Sequence, residues 1–199
     1  MYSSKPSYVF GFHGLDENIG LKILNNETSF KHSNNDYDWL ADGIYFWENN
    51  YQRAKDYAIE ARKRNPAKIK KPFVLGTILD LKNCLDLLDQ KNIDFLHEVY
   101  RLLRQDFKAE GITLPKNKPF GQKDFDFMNR QLDCSVIRYA HQIAKERGIF
   151  FDSVRAAFLE GRKLYPNAGF RKHNHIQIAI LNPNCIKGVF LPRSEVSYP

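Results

Sequence analysis

Two aromatic-rich segments near the start of the chain carry side chains suited to binding a flat ligand. His13 and Gly14 end the first apolar run, and a glycine there lets a ligand approach the backbone closely. Tyr45 lies in the second run, and Tyr57 follows in a segment with helical spacing. Two rings so placed can sandwich a planar group, which adds about 0.5–1.5 kcal/mol beyond the area buried. Taken singly, each of these residues also suits ordinary core packing.

A late apolar segment carries a polar face. His173, His175 and Gln177 alternate with other residues, so a strand would place all three on one side. The two histidines have no clear third ligand beside them, so no metal site is predicted. They leave a second interpretation open, a metal-independent ribonuclease in which His13 and His175 act as general base and acid.

The elements that position these residues follow from hydrophobic patterning. Short runs rich in aromatic and β-branched residues predict strands at 7–13, 43–47, 73–79, 176–181 and 186–191. Helical spacing predicts helices at 19–24, 49–64, 93–107 and 132–144. Strands gathered near both ends without strict β-α alternation favour an α+β fold. We expect one domain over residues 1–199, with a helical insertion at about 83–150.

Several function classes lack their motifs. The chain contains no G-x-G-x-x-G after a strand, no P-loop, no H-E-x-x-H and no G-x-S-x-G. No run of 18 apolar residues occurs, and residues 1–7 lack the apolar core of a signal peptide, which predicts a cytoplasmic protein with no membrane partner. Cys84, Cys134 and Cys185 are odd in number and widely spaced, so we expect reduced thiols.

The net charge of +7 is unevenly distributed. Residues 1–60 hold 5 Lys/Arg and 9 Asp/Glu, whereas residues 61–199 hold 25 and 14. A run with no acidic residue contains Arg62, Lys63, Arg64, Lys68, Lys70 and Lys71. This asymmetry indicates a polyanionic partner, although a solvated helix end followed by a basic loop gives the same pattern.

The order of these motifs resembles the ADP-ribosyltransferases of the diphtheria-toxin and poly(ADP-ribose) polymerase branch, whose signature is His, Tyr and Glu. The matching residues are Phe-His13-Gly14, Gly43-Ile-Tyr45-Phe, Ala54-x-x-Tyr57 and the strand that contains Gln177. The resemblance implies a split β-sheet core and NAD as co-substrate, without a metal. It spans the chain, but about 25 residues carry it, and nothing comparable is found in 80–150.

The resemblance also implies roles for the cofactor-binding residues. His13 would hydrogen-bond the ribose next to nicotinamide, and backbone groups of Gly14 would pair with the carboxamide. Tyr45 and Tyr57 would stack on the nicotinamide ring. The loop of residues 33–42, with Asn35 and Trp39, would cover the dinucleotide.

One catalytic position departs from the family pattern. Gln177 stands where the family has Glu, and a carboxamide holds a ribose hydroxyl but supplies no negative charge. Glu160 either replaces that carboxylate or is an ordinary exposed acid. The expected catalytic set is therefore His13, Tyr45, Gln177 and Glu160, and the loss of Glu predicts mono-ADP-ribosyl transfer or a catalytically dead NAD- or RNA-binding module.

The acceptor is expected to meet the loop before the last motif. The resemblance implies that Tyr165, Phe170, Arg171, Lys172 and His175 contact it, and aromatic rings beside positive charge suit an unpaired base beside a phosphate. This predicts RNA or single-stranded DNA as acceptor and an intracellular toxin or defence effector. A protein acceptor is the alternative. The basic surface also suits an acidic partner that holds such a toxin in check.

Overall fold

Seven strands and four helices make up the part of the chain that the structure, a computed structural model, describes, residues 8–119 and 129–193. The strands are β1 (Tyr8–Asp16), β2 (Ile44–Glu48), β3 (Pro72–Asp80), β4 (Cys84–Asp86), β5 (Ser153–Phe158), β6 (His175–Ile180) and β7 (Ile186–Phe190). The helices are α1 (Glu17–Leu24), α2 (Tyr51–Arg64), α3 (Gln90–Ala109) and α4 (Gln131–Glu146). The strands form a mixed sheet in the order β4-β5-β6-β2-β1-β3-β7, which confirms the α+β fold.

The chain divides into two compact units. The first is built from residues 1–31, 46–80 and 184–199, and the second from residues 32–45 and 81–183. Ser7, at the predicted start of β1, and residues 120–128 of the predicted insertion lie outside the described residues. No helix within 8–119 or 129–193 is long and apolar enough to cross a membrane.

In the first unit, β1 is the central strand. It pairs antiparallel with β3 along its whole length, from Tyr8↔Asp80 to Asp16↔Pro72, and β3 pairs antiparallel with β7. Pairing of β1 with β2 covers Gly11↔Glu48 and Phe12↔Trp47. Helix α2 packs closely on β1, because a Cβ built at Gly14 would lie 2.2 Å from the Ala54 carbonyl oxygen. The side-chain face of Gly14 is thus filled by the helix.

The second unit packs two long helices on a short sheet. Strands β4 and β5 pair in parallel, and β5 pairs antiparallel with β6 through Ala156↔Gln177 and Phe158↔His175. The predicted apolar faces of α3 and α4 pack with these strands in one hydrophobic core. Its buried residues include Val99, Leu103, Val136, Ile137, Ala140, Val154 and Ala179.

We predict that Gly14→Ala lowers the free energy of unfolding by about 1–3 kcal/mol or more, because the added methyl group collides with the backbone of α2. Gly169→Ala is the matched control, since no atom lies within 4 Å of a Cβ built there. Urea denaturation measures both variants. Equal stability of the two would contradict the close packing of α2 on β1.

Candidate functional site

His13 lies in an aromatic cluster of the first unit. Its ring centroid is 5.2 Å from that of Phe30 and 5.6 Å from that of Phe46, and these two phenylalanine rings are 5.4 Å apart. The contacts hold the half-buried imidazole in one orientation on β1. Packing therefore accounts for part of the environment of His13, and the hydrogen bond predicted for its ring stays a prediction.

The backbone of Gly14 faces a particular edge of β1. In an antiparallel strand, both polar groups of a residue point to the same neighbouring strand, and those of the next residue point to the other. The Asn49 N–H just after β2 donates to the Phe10 carbonyl, 2.9 Å, so Phe10, Phe12 and Gly14 face the β2 side. Within the first unit the register of β1 with β2 ends at Phe12↔Trp47. The N–H and C=O groups of Gly14 therefore point to the β2 side of β1, beyond Phe12, the last residue of β1 that pairs with β2.

Tyr57, on helix α2, packs against Trp47 of β2. Its ring centroid is 4.9 Å from that of Trp47 at an interplanar angle of 44°, and it adjoins the buried residues Ala54 and Val74. The guanidinium of Arg53 lies 5.4 Å from the Trp47 ring centroid. The ring of Tyr57 is thus partly buried against an aromatic neighbour.

In the second unit, Tyr45 is held by its hydroxyl group. The hydroxyl donates to the Ala41 carbonyl oxygen, 2.5 Å, and accepts from the Leu40 N–H, 2.9 Å. Desolvation by burial raises the pKa of Tyr45 above its ordinary value, so the phenol stays protonated. Both backbone partners belong to the loop before β2, where Ala41 has a φ of 60°. Tyr45 therefore ties that loop to its own strand.

The loop of residues 33–42 is also anchored to α4. Arg138 donates to the carboxylates of Asp36 and Asp42, each at 2.7 Å, and to the carbonyl groups of Asn34 at 3.1 Å and Asn35 at 3.3 Å. These carboxylates raise the pKa of Arg138 further above its ordinary value. The helix thus fixes the shape of the loop that was predicted to cover NAD.

The predicted loop residues Asn35 and Trp39 make contacts inside the second unit. The Asn35 side-chain amide donates to Ser33 Oγ, 2.9 Å, and to Asp38 Oδ1, 3.2 Å. The guanidinium of Arg130 lies 4.5 Å from the Trp39 ring centroid, so one face of the indole is covered. Neither contact assigns a ligand to these side chains, and their predicted roles stay predictions.

Glu160 is buried, which makes its interpretation as an ordinary exposed acid wrong. The residue is 7% exposed, and its Oε2 lies 3.7 Å from Nδ1 of His175. That nitrogen is also 2.6 Å from the His173 carbonyl oxygen. The His175 side chain is only 1% exposed. An imidazole so enclosed does not favour the ribonuclease interpretation, in which His175 must reach its substrate.

Gln177 lies two residues further along β6, opposite Ala156 of β5. The residue is 9% exposed, and no hydrogen bond of its carboxamide is found within residues 8–119 and 129–193. Its side-chain oxygen and nitrogen are not among the fully buried polar atoms that lack a partner, so they retain access to a water molecule or a ligand hydroxyl.

The loop before β6 is folded back on itself. Lys163 and Arg171 form an antiparallel bridge, and the Leu164 N–H donates to the Phe170 carbonyl, 3.1 Å. Tyr165 and Phe170 are 56% and 61% exposed, and Lys172 is exposed as well. Arg171 differs, because its guanidinium donates to the Gly161 carbonyl, 3.0 Å, inside the loop. The loop thus presents two aromatic rings and a cation, with Arg171 stabilising its conformation.

Two arginines that hold the loop of residues 33–42 were not predicted from the sequence. Arg130 and Arg138 lie beside the apolar stripe of α4 and resemble ordinary solvated helix residues. Their partners, Trp39 for one and the carboxylates of Asp36 and Asp42 for the other, are far away in the chain. No local spacing could have paired them.

Comparison with known proteins leaves the family open. The chain is 24% identical to the uncharacterized protein MJ0359 of Methanocaldococcus jannaschii, and the match covers 88% of this chain and 83% of that protein. No family model matches the chain. No solved structure matches it either.

We predict that Tyr45→Phe lowers the free energy of unfolding by about 1–3 kcal/mol, because the Leu40 N–H and the Ala41 carbonyl lose their partner. Tyr37→Phe is the control, since Tyr37 is exposed, and it should change stability by less than about 0.5 kcal/mol. Thermal and urea unfolding measure both. A Tyr45→Phe variant as stable as the control would show that the hydroxyl does not hold the loop.

Proposed function

We propose that the protein is an NAD-dependent mono-ADP-ribosyltransferase. The observation that carries the proposal is the edge of β1 at Gly14, where a backbone N–H and C=O lie beyond the last residue paired with β2. A nicotinamide carboxamide has one acceptor and one donor group, which complement such a pair. The resemblance of the His13, Tyr45 and Gln177 motifs to the transferase signature supports the same conclusion, and these residues lie on strands β1, β2 and β6.

Rigid aromatic groups suit the binding of a planar ring. Tyr45 is held through its hydroxyl, Tyr57 is held against Trp47, and His13 is held between two phenylalanines. Side chains fixed before binding lose little entropy when the ligand arrives. In the proposed mechanism Tyr45 and Tyr57 stack on nicotinamide, and His13 orients the adjoining ribose.

Charge explains why we propose transfer of a single ADP-ribose. Breaking the nicotinamide–ribose bond develops an oxocarbenium-like cation, which a nearby carboxylate stabilises in related glycosyl chemistry. Gln177 is neutral and can only hold a ribose hydroxyl. Glu160 is the carboxylate near the start of β6, but it is buried beside His175. Because residue 177 is a glutamine and not a glutamate, we propose that the first ADP-ribose is not extended into a chain.

We predict that Tyr45→Ala reduces nicotinamide release from NAD by about 100-fold, because removing the ring forfeits about 2–3 kcal/mol of contact and stacking. Tyr45→Phe keeps the ring but loses the hydroxyl that holds it, so turnover should fall much less than in Tyr45→Ala. Nicotinamide is quantified by chromatography, and circular dichroism checks that each variant is folded. Full turnover by a folded Tyr45→Ala variant would contradict the proposal.

For the acceptor, we propose RNA or single-stranded DNA in the cytoplasm, as expected for an intracellular toxin or defence effector. The supporting observation is the loop before β6, in which Tyr165, Phe170 and Lys172 are all exposed. Base stacking on such rings is worth about 1–3 kcal/mol per base. An acidic protein acceptor would share the attraction to positive charge but not the need for two exposed rings.

We predict that labelled NAD transfers its label to nucleic acid in a lysate. The label should disappear after nuclease treatment and survive protease treatment, and mass spectrometry should find one ADP-ribose at each modified site. Tyr165→Ala combined with Phe170→Ala should lower transfer while leaving nicotinamide release into water unchanged. Label that survives nuclease and is lost with protease would instead identify a protein acceptor, and ladders of longer adducts would contradict single transfer.

A further inference from the structure

A cluster of exposed cations lies at the end of α2, away from the residues assigned above. Residues 62–71 contain no acidic residue, and each of their basic side chains is exposed. The cluster, which we call the α2 basic segment, consists of Arg62, Lys63, Arg64, Lys68, Lys70 and Lys71. Within residues 8–119 and 129–193, one of these six cations forms an ion pair: Lys71 Nζ lies 2.7 Å from Glu17 Oε1.

The backbone of this segment is fixed by side-chain caps. The Asn65 side-chain oxygen accepts from the N–H groups of Ala67 and Lys68, both at 3.2 Å. The Asp16 carboxylate accepts from the N–H groups of Lys70, 2.8 Å, and Lys71, 3.0 Å. Ile69 between them is buried. The cations are therefore carried on an ordered scaffold, which lowers the entropy cost of binding a partner.

A concave site lies within the same segment. A cavity of about 400 Å³ is lined by Ile59, Arg62, Lys63, Pro66 and Pro72. Its walls combine apolar side chains with two cationic ones. The cavity is half open to solvent, and its volume lies within the range typical of small-ligand sites.

We propose that this cavity binds single-stranded nucleic acid. Arg62 and Lys63 contact phosphate groups, and the apolar surface of Ile59, Pro66 and Pro72 packs against a sugar or base. This inference deepens the proposed function, because it rests on a nucleic-acid acceptor and adds a docking site for it. Binding itself needs neither NAD nor transfer.

The electrostatics of the helix end favour side-chain contacts over backbone contacts. The last carbonyl groups of α2, which ends at Arg64, carry partial negative charge and repel a phosphate placed on the helix axis. The side chains of Arg62 and Lys63 line the cavity, where they can meet a phosphate without its lying at the helix end. Affinity should therefore depend on these two side chains. The logarithm of the binding constant should fall by about 0.7 for each phosphate contact and each tenfold rise in salt concentration.

The test is the binding of a fluorescent oligouridine of about 12 nucleotides, measured by anisotropy without NAD. Arg62→Gln combined with Lys63→Gln should weaken binding about tenfold or more and reduce the salt slope by about 1.4, the contribution of two contacts. Arg104→Gln combined with Lys108→Gln is the matched control, an exposed arginine and lysine on α3, and should change the affinity less than twofold.

Four results would overturn the proposal. The first three are equal loss in both double variants, displacement of the oligonucleotide by NAD, and equal binding of a poly-glutamate chain with the same dependence on Arg62 and Lys63. Tighter binding of a duplex than of the single strand is the fourth. Nicotinamide release measured on the same variants separates the two proposals, since loss of oligonucleotide binding with unchanged release leaves NAD chemistry intact.

Discussion

The Asp16 carboxylate joins three parts of the first unit. It accepts from the Asn18 N–H at the start of α1, 3.1 Å, and from the N–H groups of Lys70 and Lys71 before β3. The bond from the Lys71 backbone is the largest cause of a lowered Asp16 pKa. The stabilisation is therefore present above the ordinary pKa of about 3.8 and is lost as the pH falls through the lower folded value.

The Asp16 side chain links strand β1, which carries residues of the proposed NAD site, to the backbone of the α2 basic segment. Asp16 ends the strand on which His13 and Gly14 lie, and the same carboxylate fixes the backbone that carries Lys70 and Lys71. The carboxylate is satisfied by backbone N–H groups, and both lysine side chains are exposed, with that of Lys71 paired to Glu17. A fixed backbone with solvated cations is the arrangement that polyanion binding requires.

The sequence could predict elements whose pattern is local. Strands β1, β3 and β6 were recognised from β-branched and aromatic runs, and α2 ends just before Pro66, as the proline requires. The strand β4 has three residues, and β5 contains small residues and Arg155 in place of alternating large ones. Their parallel pairing joins segments far apart in the chain, which no local periodicity reveals.

For the site residues too, local patterns could be predicted and contacts between distant segments could not. The motif residues His13, Tyr45 and Gln177 could be placed on strands because their neighbours are apolar. The burial of Glu160 could not be predicted, because its contact with His175 joins the segment after β5 to the start of β6. A single acid in a polar loop carries no local sign that a distant imidazole encloses it.

That enclosure has a chemical consequence for the second unit. A carboxylate stabilises a nearby cation most when it is desolvated and has no competing partner. Glu160 is desolvated, but its Oε2 lies 3.7 Å from Nδ1 of His175, which is within ion-pair distance. The acid is thus committed to the start of β6, whereas the carboxamide of Gln177 has no hydrogen bond within the described residues. For the proposed reaction, β6 would then orient the ribose through a neutral amide and leave the developing positive charge to weaker dipoles, which suits a single slow transfer.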